Sequence, residues 1–538
     1  MSMWPRIIRS AGVWLCPALA MLAAGLWRIG TPDLWRDELS SWTAATRGLG
    51  ELFAMLHQVD ASIGAYYVVL HFWTELFGAS ATALRLPSVL AMAGAAAFTA
   101  LIGRRMFRSS AAGLAAGLLF VAVPGVSRYA QEVRTYAFVV CATAAATWFL
   151  LRALERPGFG RWAGYAACTA VGAVFHLVSL SALVGQAALV LLRARRASRG
   201  LLWQYPLAAL VAVVPAVPVI LLGAQQSGRQ LSWLQRPNLD LLRMFWNGLL
   251  GPASLFYAFV VLASLAFLRR GSRGAAVELL LLAVLPVVAV WLVSQGRTSY
   301  FLDRYLLFTV PACAALAGGG VGVLRAALRG AAPVRAADRA PVARGRIPGA
   351  TAPAAPAAHA AHAAPAAPAR SAAASALAAL ALPTVALALL IPFVLGLPMQ
   401  KAQRGTLAHS PTDYRAAAAL VSAGYRSGDG LVAAAGSQAW RMIGPGIAYH
   451  LTPGVQPTPL FVRQSAAQAE DLFPQECSMP ASCIGTEPRV WVVTIGTGDD
   501  PYLSLPADQA RALRTEFTPT EVRYVRGLTV SLLVRSRR

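Results

Sequence analysis

Charge is what this sequence has least of. Only 13% of its 538 residues are Asp, Glu, Lys or Arg, about half the share of a soluble globular chain. That excludes an ordinary water-soluble enzyme and a solvated, disordered chain. Lysine is nearly missing: Lys401 stands alone and every other base is arginine. Acids number 23 against 47 bases, a net charge of +24. Such an excess points to nucleic acid only when it forms a continuous patch. Here it comes in short runs between apolar stretches, which removes nucleic acid as a partner. Six cysteines in 538 residues are too few for a disulfide scaffold. No His, Cys or Asp cluster has the spacing of metal ligands, and no internal repeat stands out.

What is abundant is hydrocarbon. The set AVILMFWYC makes up 57% of the chain. A membrane-crossing helix needs about 20 apolar residues, and eleven stretches qualify: 11–29, 83–103, 109–127, 135–153, 162–176, 177–193, 203–222, 252–268, 276–294, 305–324 and 374–397. A twelfth run, 64–78, is ambiguous, and charge decides it. Arginine collects in cytoplasmic loops. With the N-terminus (Arg6, Arg9) inside and 64–78 not crossing, the basic loops all fall inside: Arg104, Arg105 and Arg108; Arg152, Arg156 and Arg161; Arg193, Arg195, Arg196 and Arg199; Arg269, Arg270 and Arg273. If 64–78 crossed, every later loop would invert. It is therefore expected to lie in the outer interface, anchored by Tyr66, Tyr67 and Trp73. The first span is expected to remain a span, since no clean cleavage site follows it and Cys16 lacks a lipobox.

Residues 325–373 form an Ala/Pro/Arg tract without periodicity, expected to be a disordered cytoplasmic linker. His359 and His362 lie in it and carry no metal site in this reading. Beyond the last span, 398–538 returns to a soluble composition, with a helix-like DYRAAAALVSAGYRSGD and strand-like RVWVVTIGTG and EVRYVRGLTVSLLVR. Parity places this small α/β domain outside. Its two cysteines, Cys477 and Cys483, are expected to form a disulfide there; Cys16, Cys141, Cys168 and Cys313 lie in spans as packing.

The scarce acids carry the functional signal. Eleven precede residue 325, and in this topology only Glu155 and Glu278 lie inside. The other nine (Asp33, Asp37, Glu38, Glu51, Asp60, Glu75, Glu132, Asp240, Asp303) gather at outer span ends and loops. Carboxylates beside hydrocarbon are costly and mark function. A conduit would carry them mid-span; this pattern describes a chemical site at the outer face. The first outer segment, 30–82, is long for a compact fold and opens with Trp35-Arg36-Asp37-Glu38. Adjacent carboxylates point in different directions, so one can face a substrate while the other is tied back. Asp37 is the natural general base, against the plainer reading of acids favoured at a helix start. The second loop reads Ser127-Arg128-Tyr129-Ala130-Gln131-Glu132-Val133-Arg134-Thr135-Tyr136. The third, Arg297 to Tyr305, places Arg304 outside, against the charge trend, where a guanidinium fork fits phosphate oxygens. Plainer readings of these loops are interfacial anchors and ion pairs, and His176, alone at an outer turn, reads as a boundary histidine sooner than as a catalyst.

At these residues the sequence resembles the GT-C superfamily, in the protein O-mannosyltransferase or glycosyltransferase 39-like group, bacterial and of high-GC Gram-positive type. WRDELS at 35–40, VDASIGAYYVVLHFW at 59–73, LRLPSVL at 84–90, RYAQEVRTYAF at 128–138, HLVSL at 176–180 and DRYLLFTVP at 303–311 carry the resemblance. One departure is plain: relatives with H-P-P-L-Y-Y keep a proline pair where this chain has Ile63-Gly64-Ala65, on the acceptor side.

The resemblance implies an α-helical integral membrane protein of GT-C fold, with about 11 transmembrane helices, outer juxtamembrane helices and the C-terminal α/β domain. The core would be 1–324, the last span 374–397 and the outer domain 398–538. It implies transfer of a sugar, mannose ahead of arabinose, from a polyprenyl-phosphate donor to an extracytoplasmic hydroxyl on a protein, lipoglycan or wall polymer, at the cell membrane and without a metal or other cofactor. Asp37 would be the base in an inverting single displacement, and Glu38 would orient sugar or acceptor. Arg36, Asp60, Tyr66, Tyr67, Gln131, Glu132, Arg134, Tyr136 and His176 would line the substrate site. Arg304, Tyr305 and Arg297 would hold the donor phosphate. A polytopic transporter or flippase and a non-catalytic scaffold are the competing classes; the former predicts inverted repeats, broken helices and midplane ions, none of which is visible in the sequence.

Overall fold

The computed structural model describes residues 4–194, 200–330, 369–433 and 436–536. His359, His362, most of the 325–373 tract and Arg195, Arg196 and Arg199 lie outside the described residues. The tract's edges are helical: one helix runs to Gly330 and the next is Ala369–Ala402.

Helices coincide with all eleven expected spans. Among the described residues seven are long and apolar enough to cross a membrane, and nine if two bent pairs each count as one. Ala11–Leu26 is a shorter apolar helix, and Phe159–Phe175 has 17 residues. The cut between the fifth and sixth spans falls at His176, whose extended backbone (φ −165°) ends that helix.

The bends have local causes. The stretch expected as one span, 109–127, breaks after Ser110–Ala122 and turns 69° into Pro124–Ala130. Proline lacks the N–H that would continue the first helix but suits the first turn of the second. Leu239–Leu250 and Ala253–Leu265 meet at 92° through Gly251, whose φ of +113° only glycine adopts at ease, and Pro252. Elsewhere the bundle closes tightly through small residues. A Cβ added at Gly320 would stand 1.7 Å from the Leu262 carbonyl oxygen, so helix Val310–Gly330 requires glycine there.

The C-terminal unit carries strands β1 (Gly430–Ala433), β2 (Thr458–Pro459), β3 (Val462–Gln464), β4 (Gln475–Glu476), β5 (Arg489–Ile495), β6 (Phe517–Val525) and β7 (Leu528–Arg535). The main sheet has the order β2-β1-β5-β7-β6, with β1 parallel to its neighbours and β7 antiparallel to its own. Alternation along β5 divides the core. Val490 and Val492 pack with Leu513 and Phe517. Trp491 and Val493 face the other way, into a cluster that holds Tyr414 and Val421 but also Leu39, Leu52, Tyr66 and Tyr67. The segment 34–84 and the C-terminal sheet thus share one hydrophobic core. Cys477 and Cys483 are joined by a disulfide.

That sharing corrects the reading of 64–78. It is a helix, Gly64–Phe77, but Tyr66 and Tyr67 do not anchor an interface; both are buried. Its exposed face is instead Val69, Phe72, Leu76 and Phe77. The tyrosines turn inward because Tyr66 packs edge-on to Phe138 and the Tyr67 hydroxyl finds polar partners inside.

Candidate functional site

Three strips of chain meet at one end of the bundle: 33–41, 127–136 and 299–305. The segment 404–415, between the last long helix and the sheet domain, closes over them. Buried Arg404 donates to the carbonyls of Trp27 (3.1 Å) and Ala24 (3.2 Å) and to Ser127 Oγ (2.5 Å). Arg415 pairs with buried Asp33, whose N–H donates to Thr406 O at 2.7 Å.

The Asp-Glu pair opens helix Arg36–Ala45, and its members part company. Glu38 has no exposed surface. Arg85, from helix Ala81–Phe107, donates Nε to its Oε1 at 2.8 Å and Nη2 to its Oε2 at 2.7 Å. The N–H groups of Val133 (3.1 Å) and Trp35 (3.4 Å) complete its shell. Burial alone would raise this carboxyl. The Arg85 guanidinium more than offsets it and holds the group far below the usual carboxylate range. His409, 3.8 Å away, is pushed down to about 4 by burial, against the pull of Glu38, and is neutral at pH 7. The expectation that Glu38 touches sugar or acceptor is therefore corrected: its lone pairs are committed to the scaffold.

Asp37 faces the open side, with 18% of its side chain exposed. Its Oδ2 lies 3.6 Å from Arg304 Nη2 and its Oδ1 3.5 Å from Arg36 Nε. Arg304 is fixed by Tyr136, whose hydroxyl accepts from Nε at 3.0 Å. Tyr136, Tyr305 and His176 form one aromatic group, with His176 4.6 Å from Tyr305 and 6.1 Å from Tyr136 between ring centroids. The Trp35 ring gathers three guanidiniums: Arg36 at 5.7 Å, Arg128 at 5.8 Å and Arg304 at 5.8 Å from its centroid. Cations on an indole face gain from its quadrupole, so one aromatic ring tolerates a local cationic excess beside Asp37.

The bend at Pro124 delivers the second strip. Gln131 is buried and ties the end of the first helix, donating to the carbonyls of Gly25 (2.7 Å) and Trp27 (2.8 Å); it supports the site without facing it. Glu132 is fully buried, 3.5 Å from Arg128, and neither of its oxygens accepts a hydrogen bond among the described residues. Burial pushes it up to about 7, with Arg128 drawing it down and Glu38 pushing it up. Arg134 reaches the Tyr67 hydroxyl (3.3 Å), Ser41 Oγ (3.5 Å) and the Asp37 carbonyl (3.4 Å). Asp60 accepts from Tyr67 at 2.8 Å and from Gln230 at 3.1 Å, so Asp60, Tyr67 and Arg134 form a wall behind Asp37. Tyr66 is packed in the core beside that wall. Arg297 is apart: it is exposed, and among the described residues no hydrogen bond or ion pair joins it to the cluster. Its expected phosphate role is corrected for that reason.

Sequence reasoning passed over Trp35, Arg85 and Arg128, although all three stand inside motifs it quoted. It also missed Arg404 and His409. The available signal was polar residues crowded just past a span end, the feature used for the other loops. Among the described residues no group of three or more His, Cys, Asp or Glu could hold a metal ion.

Residues 62–222 match the family model described as dolichyl-phosphate-mannose-protein mannosyltransferase. No curated protein matches the chain. Among solved structures it is similar to ArnT from Cupriavidus metallidurans bound to undecaprenyl phosphate, at a TM-score of 0.60 and 14% identity, over 97% of this chain and 98% of that one. The apo state of ArnT gives 0.57 and 15% over the same shares. At such identity the likeness speaks for the fold, and it extends over the sheet domain as well as the bundle.

Proposed function

We propose that this chain is a membrane glycosyltransferase of the GT-C superfamily that moves a sugar from a polyprenyl-phosphate carrier to a hydroxyl of an extracytoplasmic acceptor. The observation that carries the reading is a carboxylate beside a cationic excess: Asp37 lies against Arg304, and Arg36, Arg128 and Arg304 share one indole. Asp37 takes the acceptor's hydroxyl proton as that oxygen attacks the anomeric carbon. The bond from that carbon to the phosphate oxygen breaks, the electron pair leaves on the phosphate, and configuration inverts. The developing charge meets Arg304 and Arg128, so a strong general acid is not required. The guanidiniums supply the cationic charge in this reading, and no cofactor is assigned.

Mannose is the sugar we favour, after the family model's description. The carrier follows from chemistry: a lipid phosphate keeps its tail in hydrocarbon and its head at span ends, where the arginines are. ArnT, of similar fold, was solved with undecaprenyl phosphate. Orientation follows from charge. Helix Ala81–Phe107 carries Arg85 at the site end and Arg104 and Arg105 at the other, where Arg105 pairs with Glu155 and Arg193 with Glu278. By the positive-inside rule we take that end as cytoplasmic and the site, with residues 398–538, as lying outside a cell membrane.

The test is direct. Purified protein in lipid nanodiscs receives a panel of radiolabelled polyprenyl-phosphate sugars and a cell-envelope acceptor fraction. Wild type should move one label, and Asp37→Asn should not. Label that never leaves its carrier, or full turnover by Asp37→Asn, would end the proposal.

A further inference from the structure

The reaction above gives Glu132 no task, yet its construction is unusual. The side chain is fully buried in the turn between Pro124–Ala130 and Tyr136–Glu155, and both oxygens lack a hydrogen-bond partner among the described residues. Among the described residues its nearest cation is Arg128, 3.5 Å away, and one terminal nitrogen of Arg128, Nη1, is itself buried and without a hydrogen-bond partner. Arg128 also lies over Trp35 with Arg304. It therefore stands between Glu132 and the place where the donor phosphate is drawn in.

The surroundings of Glu132 are mixed. Arg128, on the preceding helix, and Arg304 favour its charge, while Glu38 and Asp37, from helix Arg36–Ala45, oppose it. Arg85 acts on it from helix Ala81–Phe107, and the hydroxyls of Tyr66 and Tyr129 complete the ionisable groups around it. A bare buried carboxylate is costly. The geometry is satisfied in two ways: Glu132 ionised with Arg128 committed to it, or Glu132 protonated with Arg128 released.

We propose that Glu132 is a proton-linked positioning residue, which releases Arg128 to the donor phosphate by taking up one proton from solvent. The inference rests on the reading of the Trp35 arginines as a phosphate site. Its sign follows from linkage. A phosphate near Glu132 adds negative charge, so binding favours the protonated acid. Below neutrality the acid is already neutral and Arg128 is free. Above it, each bound phosphate must bring a proton with it, and affinity falls with pH by up to about tenfold per unit.

The probe is farnesyl methyl phosphate, a diester whose single charge does not titrate in this range. Its binding to the full chain in nanodiscs is measured calorimetrically from about pH 6 to 9. Wild type should bind roughly ten- to a hundredfold more weakly at the alkaline end, and Glu132→Gln, a permanently neutral side chain, should bind with a flat profile near the acid-end affinity. Repeating wild type at alkaline pH in two buffers of different ionisation heat should reveal close to one proton taken up, a readout that needs no variant to fold. A flat wild-type profile without proton uptake, or a slope that Glu132→Gln retains, overturns the inference while leaving the phosphate site standing. Wild type that fails to bind the diester, or Arg304→Ala that binds it equally well, overturns the phosphate reading and this inference with it.

Discussion

The two sides of the site are built on opposite principles. On the side of helix Arg36–Ala45 the buried pair Glu38 and Arg85 is saturated. Glu38 accepts from both faces of the Arg85 fork and from two backbone N–H groups. Arg85 spends one remaining nitrogen, Nη1, on the carbonyls of Ile29 and Pro32, each at 2.8 Å. On the side of the 127–136 strip, Glu132 is fully buried and Arg128 partly so, and among the described residues both Glu132 carboxylate oxygens and Arg128 Nη1 are left without a hydrogen-bond partner. A complete buried network rigidifies and specifies; an incomplete one is costly and survives where a ligand completes it. The saturated side is scaffold and the open side is where chemistry belongs. Asp37 sits on the seam, its backbone in the first and its carboxylate toward the second.

The comparison is broken most severely at Glu38. Glu38→Ala or Arg85→Ala leaves one buried charge without its partner, a loss of about 3–5 kcal/mol, and we expect little folded protein from either. Replacing both, Glu38→Leu with Arg85→Met, should recover most of that loss in thermal unfolding of the micelle-solubilised protein. Single variants as stable as wild type would show that the ion pair is no scaffold. Next in size is Asp37→Asn, expected to cut turnover by roughly 10²–10⁴-fold, the range for a lost general base, with unfolding unchanged. A third variant, Arg304→Lys, keeps the charge but loses the planar fork that also engages Tyr136. A loss of about tenfold in kcat/KM for the donor is expected, and an unaltered value would remove Arg304 from phosphate recognition.

How far the sequence discloses this division depends on how local the cause is. Spans are legible because each needs only a run of apolar residues; the bend at Pro124 is not part of that reading, because hydropathy registers an apolar run and not proline's missing N–H. That Asp37 and Glu38 diverge is also local. Which of the two is tied back is not: the answer is Arg85, 47 residues along on another helix. The same holds for Tyr66 and Tyr67. In an apolar helix with large side chains on every face, hydropathy does not say which face is inside, and the deciding partners, Asp60 and Phe138, arrive by tertiary packing. Arg404 and His409 escape notice because the segment that carries them follows the last span and reads as the start of a soluble domain. Only the fold reveals that it returns to cover the site.

The smallest expected effect tests the wall between the two sides. Tyr67→Phe removes one hydroxyl that donates to Asp60 at 2.8 Å and accepts from Arg134 at 3.3 Å. Gln230 still donates to Asp60, so the cost is at the low end for one internal hydrogen bond to a charged group, about 1.5 kcal/mol. The loss should depend on pH. Burial raises the Asp60 carboxyl above its ordinary value, while Arg134 and the Tyr67 hydroxyl hold it down; without the hydroxyl it rises further. A group whose folded pKa lies above its unfolded value gives its stability at low pH and loses it as pH climbs through the folded value. The variant's deficit should therefore be larger on the alkaline side of the raised Asp60 titration than on its acid side, where a protonated Asp60 no longer needs the tyrosine's proton. Equal deficits across that titration would mean that Tyr67 contributes packing alone, and that the wall behind Asp37 belongs with the saturated scaffold.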